Sequence, residues 1–255
     1  MRDKCFITAD DLAVGYKTPL IEHICFQVRE GEILSLIGPN GSGKSTVLKT
    51  VAGYLQKHGG TVLIENTKDD CLSPNEKAKK MSVLLTERLR SDRMTCREVV
   101  ETGRYPYTGH FGLLGEDDRR AVDEAVELVK MGDYQNADFG EISDGQRQRV
   151  LLAKAICQEP RVLILDEPTS YLDICHKILF LEILKKLAAE KHLAVILSMH
   201  ELDFAEKISD YTVCIKNGAV FCSGPPANIF TPDTVCRLFD IPKELYAQYF
   251  LSSHR

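Results

Sequence analysis

The chain of 255 residues lacks the long apolar runs, the basic excess and the repeats that mark several classes of protein. Its apolar runs stay well below the roughly 18–20 residues that a membrane-spanning helix needs. The 32 basic and 37 acidic side chains give a net charge of −5, so the clustered basic excess typical of a nucleic-acid-binding surface is missing. These absences favour a globular protein that binds no nucleic acid and does not itself span a membrane.

The N-terminal segment and the cysteines indicate the compartment. Residues 1–5 (MRDKC) lack the apolar core of a signal peptide, so we expect that the chain is not exported. The nine cysteines form no Cys-x-x-Cys pair, and several, such as Cys175 and Cys214, lie inside apolar runs. An odd number of cysteines without metal-ligand spacing is typical of reduced thiols packed as small apolar side chains. We therefore predict a reducing environment that faces the cytoplasm.

Short apolar runs alternate with helical patterns in both halves of the chain, which predicts an α/β fold. The runs at 33–37, 162–165 and 193–197 are almost continuously apolar, as is typical of central parallel strands covered on both faces. Near the C-terminus, Asn217-Gly218 separates two further strand patterns, and this dipeptide favours a tight hairpin.

The stretch between the two halves has a different, helical character. Residues 122–129 carry apolar side chains at the spacing of one helix face. We predict a single domain, in which a catalytic core of residues 1–86 and 156–255 carries an inserted helical subdomain of residues 87–155.

Residues 38–45 (GPNGSGKS) match the pattern G-x-x-x-x-G-K-[ST] and stand between a predicted strand and a predicted helix. The glycines let such a loop curl so that backbone N–H groups point inward, and the helix adds the positive end of its dipole. Lys44 can then reach the outer phosphates of a nucleotide, and the Ser45 hydroxyl can bind Mg²⁺. The alternative is a chance match in a glycine-rich turn, which the flanking strand and helix disfavour.

Two carboxylates, Asp166 and Glu167, follow the predicted strand at 162–165. Open α/β sheets place their ligands at the carboxyl ends of parallel strands. Asp166 suits an Mg²⁺-bound water, because a hard cation prefers carboxylate and water oxygens. Glu167 points elsewhere and could orient or deprotonate the water that attacks a γ-phosphate. A solvated acidic turn is the alternative, which the phosphate-binding pattern upstream disfavours.

The tetrapeptide SDGQ at 143–146 introduces another predicted helix. Ser143 can cap this helix, Gln146 occupies the reciprocal position of a capping box, and Gly145 lets another group approach the backbone closely. A capped helix N-terminus with free N–H groups is an anion site. A plain capping box stays open as the alternative. A second phosphate site makes sense chiefly if it serves a neighbouring subunit.

In chain order, these motifs resemble those of the ATP-binding-cassette (ABC) ATPases. The order runs from the phosphate-binding loop through ISDGQ (142–146) and Asp166-Glu167 to SYLD (170–173) and His200. The resemblance covers nearly the whole chain. It implies an α/β P-loop NTPase (RecA-like) core with an N-terminal antiparallel β subdomain and an inserted α-helical subdomain. It also implies a head-to-tail homodimer, in which ATP lies between the loop of one copy and the signature helix of the other.

The resemblance also implies roles for single residues. Glu167 would be the catalytic base, and His200 would contact the γ-phosphate. Asp173 would bridge the dimer interface, and Tyr16 would stack on adenine, the alternative being a singly exposed tyrosine without a special role. The residues expected to bind ATP are Tyr16, Gly38, Pro39, Asn40, Gly41, Ser42, Gly43, Lys44, Ser45, Thr46, Ser143, Gly145, Gln146 and Asp173.

Mg²⁺ is the second expected cofactor, with Ser45 and Asp166 as its ligands. Thr86 departs from the family pattern, because it stands where the family usually has a glutamine that senses Mg²⁺ and the membrane partner. Thr86 could still offer an oxygen, but its side chain is shorter, so we expect the Mg²⁺ contact to be lost or mediated by water. Asp144, where glycine is commonest, is a known variation of the family and does not indicate an inactive protein.

Residues 103–107 (GRYPY) resemble a Gly-Arg-x-Pro-[His/Tyr] segment of importers for ferric siderophores, haem and cobalamin, although Pro106 would also end a helix there. We therefore predict the ATPase subunit of such an importer at the cytoplasmic face of the membrane. Its partners would be a separate permease and, indirectly, an extracytoplasmic substrate-binding protein. Two alternatives stay open: a soluble cassette ATPase for iron–sulfur cluster assembly or another non-transport task, and the ATPase subunit of an exporter.

Overall fold

The computed structural model describes residues 4–85, 93–109 and 112–251. The described strands are β1 (Cys5–Gly15), β2 (Pro19–Arg29), β3 (Ile33–Ile37), β4 (Gly59–Ile64), β5 (Thr67–Lys68), β6 (Met81–Leu84), β7 (Val162–Asp166), β8 (Ala194–Ser198), β9 (Tyr211–Lys216) and β10 (Ala219–Gly224). They form one antiparallel sheet in the order β2-β1-β4-β5 and a second sheet in the order β10-β9-β3-β8-β7-β6. Neighbours in the second sheet run parallel, except in the β9–β10 hairpin.

The helices lie between and around these sheets. They are α1 (Lys44–Val51), α2 (Pro74–Lys80), α3 (Cys96–Glu101), α4 (Glu116–Leu128), α5 (Asp144–Cys157), α6 (Ile174–Lys191), α7 (Leu202–Ile208), α8 (Pro226–Ile229), α9 (Pro232–Phe239) and α10 (Lys243–Tyr246). Short 3₁₀ turns at Asp69–Cys71, Thr102–Arg104 and Gly132–Tyr134 and a π-helical turn at Ala247–Leu251 complete the described chain. Over the described ranges, the helices are too short or too polar to span a bilayer.

The central strands of the second sheet are buried on both faces, because consecutive side chains of a strand point to opposite sides. Leu34 and Leu36 of β3 pack with the antiparallel sheet and α1. Ile33 and Ile37 of the same strand pack in a second cluster that contains α5 and α6. Strands β7 and β8 divide between the two clusters in the same way. The three apolar runs predicted as central parallel strands are therefore confirmed, and so is the α/β fold with its N-terminal antiparallel sheet.

The hairpin predicted from Asn217-Gly218 joins β9 to β10. Asn217 and Gly218 have φ angles of 50° and 72°, and positive φ at both central residues defines the hairpin turn that this dipeptide favours. The helical pattern at 122–129 also agrees with the structure, since α4 buries Val122, Ala125 and Val126. Helices α3, α4 and α5 pack against one another.

All nine cysteines are free thiols, as predicted. Cys25, Cys71 and Cys175 are exposed, whereas Cys96, Cys157, Cys214 and Cys236 are buried. Burial raises the pKa of Cys157 from 9.0 to about 12. The thiolate is the reactive form, so this shift lowers its fraction at pH 8 by about three orders of magnitude.

We expect a thiol reagent at pH 8 to modify the three exposed cysteines of the folded protein within minutes. The four buried cysteines should react only after addition of denaturant, because the folded chain keeps the reagent away from them. Counting of modified thiols by mass spectrometry, with peptide mapping, measures this difference. Rapid labelling of Cys157 in the folded chain would contradict the burial of this thiol.

Candidate active site

The loop at 38–45 connects β3 to α1 at the carboxyl edge of the parallel strands. Gly38, Gly41 and Gly43 have φ angles of 157°, 75° and 104°, which glycine adopts far more readily than other residues. A Cβ at Gly38 would lie 2.1 Å from the carbonyl oxygen of Ile215. A side chain at this position would therefore collide with strand β9. A curled loop ahead of a helix N-terminus is the arrangement that binds phosphate groups.

Lys44 is buried at the start of α1 and turns back over this loop. Its Nζ donates hydrogen bonds to the carbonyl oxygens of Gly38 and Pro39, at 2.9 Å and 3.0 Å. Burial lowers the pKa of Lys44, although the carboxylates of Glu167 and Asp166 partly oppose this shift. The ammonium group is thus desolvated and held inside the loop, where it can meet a phosphate.

Asp166 stands at the end of β7 with only 5% of its surface exposed. Its Oδ1 accepts hydrogen bonds from the hydroxyls of Ser45, at 2.9 Å, and Ser198, at 2.7 Å. The parallel register that pairs Asp166 with Ser198 brings the second hydroxyl there. Sequence reasoning predicted Asp166 and Ser45 but missed Ser198, because a serine at the end of an apolar strand carries no motif of its own.

Glu167 follows directly and reaches His200 beyond the end of β8. The His200 Nε2 contacts Glu167 Oε1, and Ser170 Oγ donates to Glu167 Oε2 at 3.1 Å. The side chains of His200 and Glu167 are partly exposed. Each carboxylate oxygen has a further lone pair, so a water molecule can still hydrogen-bond to Glu167.

The N-terminus of α5 carries the predicted capping box. Ser143 Oγ accepts from the backbone N–H of Gln146 at 3.3 Å, and the Gln146 Oε1 accepts from the backbone N–H of Ser143 at 2.9 Å. A Cβ at Gly145 would lie 2.7 Å from the ring of His176, so the imidazole packs directly on the helix backbone.

The same His176 is bound to Asp173, the residue that caps α6. Asp173 accepts from the backbone N–H of His176 at 2.9 Å and from its ring Nδ1 at 2.8 Å. Both hydrogen bonds lower the pKa of Asp173, and the one from the backbone N–H makes the larger contribution. His176 therefore joins Asp173 to Gly145. Sequence reasoning missed it, since nothing in the motif order marks a histidine within α6.

The structure sorts the predicted residues into two groups. Residues 38–45, Asp166, Glu167 and His200 form the loop group, at the carboxyl edge of the parallel strands. Ser143, Gly145, Gln146 and Asp173 form the helix-end group, at the N-termini of α5 and α6. The side-chain hydrogen bonds that the structure describes for the helix-end group stay within that group and His176.

Burial differs among the individual residues that were expected to bind ATP or Mg²⁺. Thr46 is buried behind the loop in α1, and Asn40 is exposed at its tip. Ser42 is buried, and its hydroxyl has no hydrogen-bond partner among the residues that the structure describes. Tyr16 is 67% exposed in the turn between β1 and β2. Thr86 lies outside the described residues.

Comparison with known proteins identifies the family. The family model described as ABC transporter matches residues 21–170, which is more than half of the chain. The chain belongs to the ABC transporter family. The resemblance drawn from its motifs is therefore confirmed, and the protein is a nucleotide-binding ABC ATPase.

Two curated relatives match almost the whole of this ABC ATPase. An uncharacterised ABC transporter ATP-binding protein of Methanocaldococcus jannaschii is 42% identical over 95% of this chain and 84% of the relative. The iron(3+)-hydroxamate import ATP-binding protein FhuC of Bacillus subtilis is 34% identical over 94% of this chain and 89% of the relative.

A solved structure of a dimeric bacterial ABC transporter cassette is similar in fold to this ABC ATPase. Its TM-score is 0.76 at 26% identity, and the match covers 86% of this chain and 98% of that one.

Proposed function

We propose that the chain is the ATP-hydrolysing subunit of an ABC importer and that it works as a head-to-tail homodimer. The division of the site into a loop group and a helix-end group carries the proposal. Each group contains a helix N-terminus, a position that favours anions, yet the helix-end group contributes no described side-chain bond to the loop group of its own chain. Two copies would bring the loop group of one to the helix-end group of the other, with ATP between them. The dimeric cassette of similar fold supports this arrangement.

Within the loop group, Glu167 would act as the base that receives a proton from the attacking water. Its contact with His200 and the hydrogen bond from Ser170 support this role, because they orient the carboxylate without using all its lone pairs. His200 would contact the γ-phosphate, and Lys44 would bind the outer phosphates. Asp173 would bridge the two copies. Tyr16 offers an exposed ring on which adenine can stack.

Mg²⁺ would be held by Ser45 and Asp166. The donor set fits, because a hydroxyl and a buried carboxylate supply the oxygen ligands that this hard cation prefers. When bound, Mg²⁺ stabilises negative charge that develops on phosphoryl oxygens. Thr86 would add at most an oxygen or a water-mediated contact.

We further propose that the ATPase drives uptake of an iron chelate, with haem and cobalamin as the other cargoes indicated by residues 103–107. The name of the similar FhuC protein supports import and an iron chelate. The alternatives of an iron–sulfur assembly ATPase or an exporter subunit have no such support.

A separate permease and, indirectly, an extracytoplasmic substrate-binding protein would be the partners, and the chain would bind the cytoplasmic face of the membrane. The proposed helical subdomain at 87–155 would contain α3, α4 and most of α5, whose mutual packing suits a unit that moves as one body. ATP binding would close the dimer and move the permease, and hydrolysis would reset it.

Reconstitution tests this proposal. The tagged chain, co-expressed with a permease from the same genome, is expected to co-purify in detergent and to drive ATP-dependent uptake of a ferric hydroxamate into vesicles. Vesicles that carry Glu167→Gln should lose at least about nine-tenths of this uptake, because turnover requires the base. The same uptake assay with cobalamin and with haem complexes distinguishes the three candidate cargoes. ATP hydrolysis by a chain that binds no membrane protein, under conditions in which the permease is folded, would favour the non-transport alternative.

A further inference from the structure

Ser198 is a buried polar residue that no motif marked. It ends β8 (AVILS), where the other side chains are apolar, and it has no exposed surface. In the parallel register it stands beside Asp166 on β7 and beside Leu36 on β3. The hydroxyl therefore lies between the strand that leads into the phosphate-binding loop and the strand that ends at Asp166.

The hydrogen bonds of Ser198 have only one consistent direction. Its Oγ accepts from the backbone N–H of Glu167 at 2.9 Å, and an amide nitrogen can only donate. The single hydroxyl hydrogen is then available for Asp166 Oδ1, at 2.7 Å. One hydroxyl thus binds the side chain of one carboxylate residue and the backbone of the next.

These two hydrogen bonds explain how the side chains of two consecutive residues, Asp166 and Glu167, point to different places. Glu167 has a φ of 48°, a left-handed conformation that is uncommon for residues other than glycine. The hydrogen bond from the Glu167 N–H to Ser198 holds the peptide group between Asp166 and Glu167 in place. Asp166 then points to Ser45 of α1, whereas Glu167 points to His200.

We infer that Ser198 is a positioning residue, which holds Asp166 and Glu167 in the relative orientation needed for Mg²⁺-dependent ATP hydrolysis. The inference rests on the proposed function, because it assigns Asp166 to the metal and Glu167 to the attacking water. Ser198 itself would touch neither the metal nor ATP. It acts through the two carboxylate residues, as partners of metal ligands commonly do.

The test compares Ser198→Val, Ser198→Thr and a control. Valine and threonine have nearly the same shape, but only threonine keeps a hydroxyl. Thr212→Val is the matched control, because Thr212 is equally buried in strand β9, two strands away in the same sheet, and its hydroxyl has no hydrogen-bond partner within the described ranges. Binding of a fluorescent ATP analogue is measured with EDTA and during Mg²⁺ titration, alongside kcat.

For Ser198→Val we expect the apparent Mg²⁺ affinity and kcat each to fall about 10- to 100-fold, as is typical when a partner of a metal ligand is removed. Binding of the analogue in EDTA should stay within about twofold of wild type, because the loop is untouched. Ser198→Thr should recover most of the loss, and Thr212→Val should behave as wild type.

Wild-type Mg²⁺ affinity and kcat in Ser198→Val would overturn the inference and leave the proposed function intact. Equal losses in the valine and threonine variants would also overturn it, since volume and not the hydroxyl would then decide. A wild-type chain that neither binds nor hydrolyses Mg²⁺-ATP would overturn both the inference and the proposed function. Thermal unfolding confirms that each variant is folded, and Ser198→Ala replaces the valine variant if that one is not.

Discussion

Glu167→Gln is expected to lower the rate of ATP hydrolysis at least about 100-fold while ATP still binds, because a glutamine amide cannot accept the proton of the attacking water. The substitution keeps the size of the side chain and an oxygen that can accept from Ser170. It also removes one negative charge near the γ-phosphate in each site. The variant should therefore hold ATP longer and accumulate as a closed dimer.

Two measurements check this expectation. Phosphate release gives the rate, and light scattering after size-exclusion chromatography with ATP and Mg²⁺ gives the mass. Glu65→Gln is a suitable control, because Glu65 is also a partly buried, ion-paired carboxylate but lies in the turn between β4 and β5, beside Lys4 and Lys80. The control should hydrolyse ATP near the wild-type rate and form no lasting dimer. If Glu167→Gln also hydrolyses at the wild-type rate without a dimer, Glu167 is not the base.

The strands of the core could be predicted from the sequence because burial on both faces produces continuous apolar runs. The order of these strands within the sheet could not be predicted. Strand β8 lies between β3 and β7, although β3 and β7 both precede it in the chain. Apolar runs carry no information about which neighbour they pair with. That order is nevertheless what places Ser198 beside Asp166.

Some parts of the candidate site could likewise be predicted from the sequence, and other parts could not. The loop at 38–45 and Asp166-Glu167 could be predicted because each is a local pattern next to a strand or helix. The contact of His176 with Gly145 joins residues that are 31 positions apart, and it depends on how α5 and α6 meet. Only the packing of two helices reveals that a side chain at Gly145 would meet the imidazole that is bound to Asp173. Long-range contacts of this kind leave no periodic signal in the sequence.

Lys44→Met is expected to weaken ATP binding about 100-fold, which corresponds to about 2.7 kcal/mol. The ammonium group is desolvated, and its pKa is lowered by burial, so the protein maintains a poorly hydrated charge where a phosphate would meet it. A charge-assisted hydrogen bond to phosphate in such surroundings is among the stronger polar contacts. Methionine has a similar length but offers no donor. Equilibrium binding of a fluorescent ATP analogue measures the loss.

The stability of the ligand-free chain should respond quite differently to Lys44→Met. The lysine loses water on burial and, among the residues that the structure describes, donates hydrogen bonds to two carbonyl oxygens of its own loop. Removal of the charge relieves the desolvation cost and sacrifices these bonds, two effects of similar size and opposite sign. We expect the free energy of unfolding, measured in urea without nucleotide, to stay within about 1 kcal/mol of wild type.

Lys154→Met provides the control that separates a phosphate contact from a general effect of a lysine with a desolvated ammonium group. Burial also lowers the pKa of Lys154, but this lysine lies on α5, outside the loop group. Its replacement should change ATP affinity by no more than about twofold, because no lost donor faces the nucleotide. Equal losses of affinity in the two variants would mean that positive charge of the chain as a whole attracts ATP. A loss of affinity in Lys44→Met alone, with its stability preserved, would place the phosphates against Lys44. Both variants remove one positive charge, so neither the net charge nor a folding defect could explain the difference between them.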